Sequence, residues 1–153
     1  MKRGFLAAVV LAAAVSPCAV IAAGIGIMPG QWDIAVTTES MEMEGMPPGA
    51  ANAMRGKAVH LQHCITPADA AKGPQEMLKS DKSCTFGRIS TTGNVVHAEI
   101  TCKPAGGGTM HSVSDSTYTP TGFTSHGRTV MTGQMKMTVV ATTVGKRVGA
   151  CTK

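Results

Sequence analysis

Over residues 31–40 apolar and polar side chains alternate, Trp32, Ile34 and Val36 on one face and Gln31, Asp33 and Thr37 on the other. A period of two is what a half-buried β-strand requires. Extended character returns at residues 58–64, and from residue 84 onward strand-like segments follow one another at 84–90, 94–103, 109–119, 123–131 and 135–144. Each break carries turn chemistry: Gly93, Gly106-Gly107-Gly108, Pro120-Thr121-Gly122, Gly133 and Gly145. Seven short strands with polar, glycine-bearing connections predict an all-β fold, an antiparallel meander curled into a small barrel or sandwich. Threonine-rich strands with few charges make poor free edges, which favours a curled or closed sheet.

Two stretches depart from the strand pattern. Residues 41–57 hold Pro47-Pro48 and three glycines, show no sustained period, and are expected to form a long exposed loop. Thr66-Pro67-Ala68-Asp69 has the order of a helix start, with a capping hydroxyl, proline at the first position and an acid in the first turn. It predicts one short helix, running a turn or two to Gly73 and onward from Pro74 toward Lys79.

The N-terminus changes the compartment. Lys2 and Arg3 precede an apolar run, and Ile21-Ala22-Ala23 offers a small-residue cleavage site, so residues 1–23 read as an export signal and 24–153 as a single domain, periplasmic or secreted. Cys18 follows Pro17, not the small residue that lipidation needs, and it departs with the signal. No transmembrane segment is expected in the mature chain, which reads as a monomer.

Four cysteines then remain, an even set in an oxidising compartment. A hairpin turning at Gly93 with a three-residue loop and no bulge sets Cys84 opposite Cys102, leaving Cys64 to pair with Cys151. The other two connectivities stay open to spacing alone.

Several of these features occur together in one known family. Met28-Pro29-Gly30-Gln31-Trp32-Asp33 after a signal, the Met/Pro/Gly loop, Cys64-Ile65-Thr66-Pro67, the Cys84 and Cys102 pair, and the closing Gly145-Lys146-Arg147-Val148-Gly149-Ala150-Cys151 resemble a family of small proteobacterial envelope proteins. It is known as domain of unknown function thirty-six-seventeen. Asp33 stands where glutamate is commoner. The resemblance implies a secreted, β-rich, disulfide-bearing domain and transfers no catalytic residue.

Composition narrows the chemistry. Without Lys2 and Arg3 the net charge falls from +5 to +3, and the bases are scattered apart from Lys146-Arg147, so no nucleic-acid footprint is present. Only Trp32, Phe86, Tyr118 and Phe123 are aromatic after residue 23, against ten methionines, so thioethers are expected to supply part of the core volume. Met131, Met135 and Met137 most simply fill an inward face. Met41, Met43 and Met46 alternate with glutamates in the loop and form the one candidate metal set, soft sulfur suited to Cu(I) or Ag(I).

The remaining candidates are weaker. His60 and His63 fall on opposite faces of a strand; His97, His111 and His126 are isolated in sequence, and no zinc spacing brackets them. Ser112, Ser114 and Asp115 near His111 lie along one strand, no nucleophile elbow occurs, and the triple glycine lacks a following Lys-Ser/Thr. Arg147 invites an ion pair with Asp33 if the first and last strands meet. The expectation is a non-enzymatic envelope protein without a cofactor, binding a small apolar ligand or an envelope partner at a barrel mouth bordered by the methionine loop. Cu(I) or Ag(I) binding through Met41, Met43 and Met46 is the alternative, and a purely structural role the third reading.

Overall fold

The computed structural model describes residues 26–47, 49–78, 82–134 and 136–152. The export signal, its cleavage site, Cys18 and Met135 lie outside the described residues.

Seven strands form one antiparallel sheet: β1 (Gly30–Met43), β2 (Ala58–Ile65), β3 (Cys84–Thr92), β4 (Val95–Cys102), β5 (Thr109–Thr119), β6 (Gly122–Thr132) and β7 (Met137–Gly149). Their order is β2-β1-β7-β6-β5-β4-β3. Strands β3 to β7 are a plain meander, each paired with its successor. The β1–β2 hairpin adds to it through a long-range pairing of β1 with β7.

The sheet does not close into a barrel. Its outermost strands are β2 and β3, and the chain between them forms helix α2 (Pro67–Leu78) in place of a hairpin turn. Edge strand β3 carries a bulge between Phe86 and Ile89, a device that spoils an edge as a template for further pairing.

Helix α2 starts as its sequence dictates. The Asp69 amide donates to Thr66 Oγ1 at 3.2 Å, the Thr66 hydroxyl donates to Asp69 Oδ2 at 2.7 Å, and Lys72 Nζ meets Asp69 Oδ1 at 2.9 Å. These contacts hold the Asp69 carboxyl below its ordinary pKa, the Thr66 hydroxyl first and Lys72 second. At Gly73 the backbone leaves helical geometry (φ 74°, ψ 166°), and Pro74 begins the next turn.

A second helix, α1 (Ala50–Met54), corrects the reading of 41–57 as loop throughout, and β1 extends through Met43. Met41-Glu42-Met43-Glu44 is itself an alternating pattern, so β1 continues against β7, pairing Met41 with Val139 and Met43 with Met137. The loop begins at the turn beyond Met43.

Two disulfides staple the sheet. Cys84–Cys102 bridges directly opposed residues of β3 and β4, and Cys64–Cys151 ties the end of β2 to the segment after β7. Both fit an oxidising compartment. Among the described residues no helix is long and apolar enough to cross a membrane.

Side chains of one face of the sheet form the core. Trp32 is wholly buried with Ile27 and Ile65 around it, and Ile34, Ala70, Tyr118 and Phe123 pack against them. Val96, Ala98 and Cys102 on β4 continue the buried face. No methionine belongs to this core among the described residues, so the expectation that thioethers supply core volume is corrected. Met43, Met110, Met131 and Met137 lie at the far end of the strands, away from the tryptophan-centred packing.

Candidate functional site

The alternation of β1 places Trp32 and Ile34 on the inner face, and the register with β2 puts His63 opposite Trp32 and Leu61 opposite Ile34. Trp32 anchors its ring by donating from Nε1 to the Met28 carbonyl at 3.1 Å. Directly across β7 from Ile34 stands Gly145, paired in turn with Phe123 of β6. A Cβ on Gly145 would lie 2.0 Å from Phe123 Cε1. Without one, the Phe123 ring lies over β7 and approaches Trp32 with centroids 6.1 Å apart, and the tilted Tyr118 ring lies 5.5 Å from that of Phe123.

These rings and the isoleucines line a partly open apolar cavity of about 250 Å³, to which α2 contributes Pro74. Among the described lining residues, His63 carries the one basic side chain. Sites for drug-sized ligands run to roughly 300–1,000 Å³, so this one accommodates a single ring or a short alkyl segment. Burial pushes the Tyr118 phenol above its ordinary value of 10.0, with the Ser116 hydroxyl opposing the shift. Beyond the cavity the same face runs out onto edge strand β2, where Leu61 and Val59 are 54% and 61% exposed. The apolar surface therefore continues outward from the pocket.

The family model described as "Protein of unknown function (DUF3617)" matches residues 27–151. The chain belongs to this family. The matched region opens at Ile27, the first cavity residue, closes at Cys151, and takes in all seven strands and both disulfides. No curated protein matches the chain. No solved structure matches it either.

The other residues singled out in the sequence are dispersed. His60 and His63 lie on opposite faces of β2: His60 meets Asp33 at 3.2 Å on the outer face, and His63 lines the cavity. His97 pairs with Asp115 at 2.8 Å, His111 with Glu99 at 3.0 Å and His126 with Glu39 at 3.2 Å, all on that outer face. Glu39 also accepts a hydrogen bond from Thr142, which together with His126 lowers its pKa. Among the described residues no three His, Cys, Asp or Glu side chains group as a metal site.

Arg147 does not pair with Asp33. It stands opposite Trp32 and its Nε donates to the Pro29 carbonyl at 2.8 Å, because a bulge between Gln31 and Trp32 leaves Lys146 as the partner of Asp33. Ser112 and Ser116 face inward, bonded to Thr129 and Ser125, whereas His111 and Asp115 face outward, so no nucleophile–base pair forms between them.

The aromatic cavity lies at the Trp32 end of β1, and a second, more open one of about 440 Å³, lined by Met43, Met131 and Met137 together with Glu42, Glu44 and Lys136, lies at the methionine end, with Met41 and Met46 outside its lining. The bulky inward residues are at the start of β1, the start of β6 and the end of β5, and antiparallel pairing brings these three places together. Sequence periodicity indicated Trp32 and Ile34 for this face. It could not indicate Pro74 or the Phe123–Gly145 apposition, which depend on how the helix folds back and on which strand lies between β1 and β6.

Proposed function

We propose that this is an exported, non-enzymatic envelope protein, one domain over residues 24–153, that binds a small apolar ligand in the cavity between the sheet and α2. The observation that carries the reading is the cavity itself: about 250 Å³ walled by Ile27, Trp32, Ile34, Ile65 and Phe123, with the Tyr118 phenol and the His63 imidazole as polar groups among the described lining residues. Packed interiors leave few voids larger than a water molecule, and an apolar cavity of this size is suited to an apolar guest. His63 supplies the orienting polar contact, which favours a ligand with a hydroxyl or carboxylate at one end.

The test is a titration of the mature, disulfide-intact protein with 4-nitrophenol, a single ring with one hydroxyl, followed by quenching of the fluorescence of Trp32, the one tryptophan. Saturable quenching that is lost in Ile34→Phe, which puts a larger side chain into the cavity, supports the reading. Quenching no greater than that of the Ile34→Phe protein overturns it.

A second reading, soft-metal binding through Met41, Met43 and Met46, draws on the strand register. Met41 and Met43 share one face of β1, and Met46 lies in the turn that follows, its amide donating to the Met43 carbonyl at 3.2 Å.

A further inference from the structure

At the end of the sheet opposite the aromatic cavity, one row of cross-strand partners consists entirely of sulfur residues. Met43 of β1 faces Met137 of β7, Met137 faces Met131 of β6, Met131 faces Met110 of β5, Met110 faces Cys102 of β4, and Cys102 is bridged to Cys84 of β3. Direct partners project from the same face with Cβ atoms about 5 Å apart. We infer that Met43, Met137, Met131 and Met110 form a thioether site for a soft monovalent cation, Cu(I) or Ag(I). The inference deepens the soft-metal reading and changes its ligands: the set belongs to the sheet, and of the loop trio only Met43 takes part.

Three observations separate this row from ordinary strand packing. The four methionines are half-buried, and none belongs to the buried core. Strands favour β-branched and aromatic residues, and methionine is neither. The next inward row on the same face holds Met41, Val139, Thr129, Ser112 and Ile100, so methionine richness is concentrated in a single register position.

Geometry permits convergence. Met43 and Met131 flank Met137 at one strand spacing each, about 5 Å. An unbranched side chain with three rotatable bonds lets each outer sulfur lean inward over the central one, and Met110 adds a fourth donor from the next strand. Thioethers are neutral and do not titrate in water, and soft donors of this type select Cu(I) over the harder divalent ions. Binding should therefore be independent of pH, whereas a histidine site loses affinity as its imidazoles protonate.

The test is an anaerobic titration of the mature, disulfide-intact protein with Cu(I), competed against a colorimetric chelator of known affinity. The expected result is one Cu(I) per chain, with the same affinity at pH 5 and pH 7. Met137→Leu and Met131→Leu, which conserve volume, should each lower affinity by at least about 100-fold, since even supporting groups around a metal are worth 10–100-fold. Met46→Leu should change nothing. A second measurement needs no variant: with methyl-labelled methionine, Ag(I) should shift the Met43, Met131 and Met137 methyl resonances and leave the exposed Met28 and Met54 in place.

Two results overturn the inference and differ from each other. Binding that survives Met137→Leu but is lost in Met41→Leu or Met46→Leu returns the metal to the loop. Competition no greater than that of the Met43/Met131/Met137→Leu protein removes soft-metal binding altogether.

Discussion

Gly145 is where one missing methyl group decides the shape of the pocket. Glycine weakens a strand interior, yet here it lets the Phe123 ring cross β7 and reach Trp32. Gly145→Ala should push the ring off the tryptophan and destabilise the fold by about 1–3 kcal/mol, the range for overpacking a core. Gly149→Ala, where a Cβ meets nothing within 4 Å, is the control and should stay within about 0.5 kcal/mol of the parent. Urea unfolding followed by Trp32 emission measures both. Tyr118, the one tyrosine, reports on the same pocket from its other side. Its pKa is raised in the folded state by burial, so the unfolded chain ionises first and stability should fall as pH rises above about 10. The near-ultraviolet absorbance of the phenolate should titrate later in the native protein than in urea, and Tyr118→Phe should remove the contribution of this group to the alkaline loss.

Among the elements, the β3–β4 hairpin shows how a right pairing can rest on compensating irregularities. A three-residue loop without a bulge would put Cys84 opposite Cys102. The hairpin instead turns through Gly93 and Asn94, with Gly93 at φ 59°, and that tighter loop alone would leave the cysteines one position out of register. The bulge between Phe86 and Ile89 restores the alignment. The two disulfides should differ in weight. They close rings of sequence separation 18 and 87, which in the chain-entropy account contribute about 3 and between about 4 and 5 kcal/mol. Replacing Cys64 and Cys151 by serine should therefore lower the urea midpoint more than replacing Cys84 and Cys102. A reversed order would show that strain or residual unfolded-state structure outweighs ring size.

For the molecule as a whole, the open sheet distributes chemistry between two faces and two ends. The outer face carries the histidine–carboxylate pairs, the inner face the aromatic pocket at one end and the sulfur row at the other. Seven strands, the capped start of α2 and the inward side of β1 were legible in the chain, because alternation, Thr-Pro-x-Asp order and glycine placement act over a few neighbouring residues. The pattern predicts β5 over residues 109–119, and the strand runs Thr109–Thr119. The end of β1 is not legible in the chain: the Met-Glu alternation continues the strand to Met43, while the two prolines and the glycine that follow carry the signals of a loop. Strand order is different in kind. That β1 adds to β7, that the sheet stays open, and that methionines from four separate strands fall in one row are decided by long-range register, which no local pattern encodes. By itself the sequence determined where most strands lie and, between bulges, which side chains share a face, through backbone geometry repeated every two residues, whereas the register shift between Thr38 and Ser40 turns Met41 and Met43 to the face of Trp32 and Ile34. Only the tertiary structure decided which of those side chains meet, because packing β1 against β7 and folding α2 over the sheet bring together residues that have no sequence relation to one another.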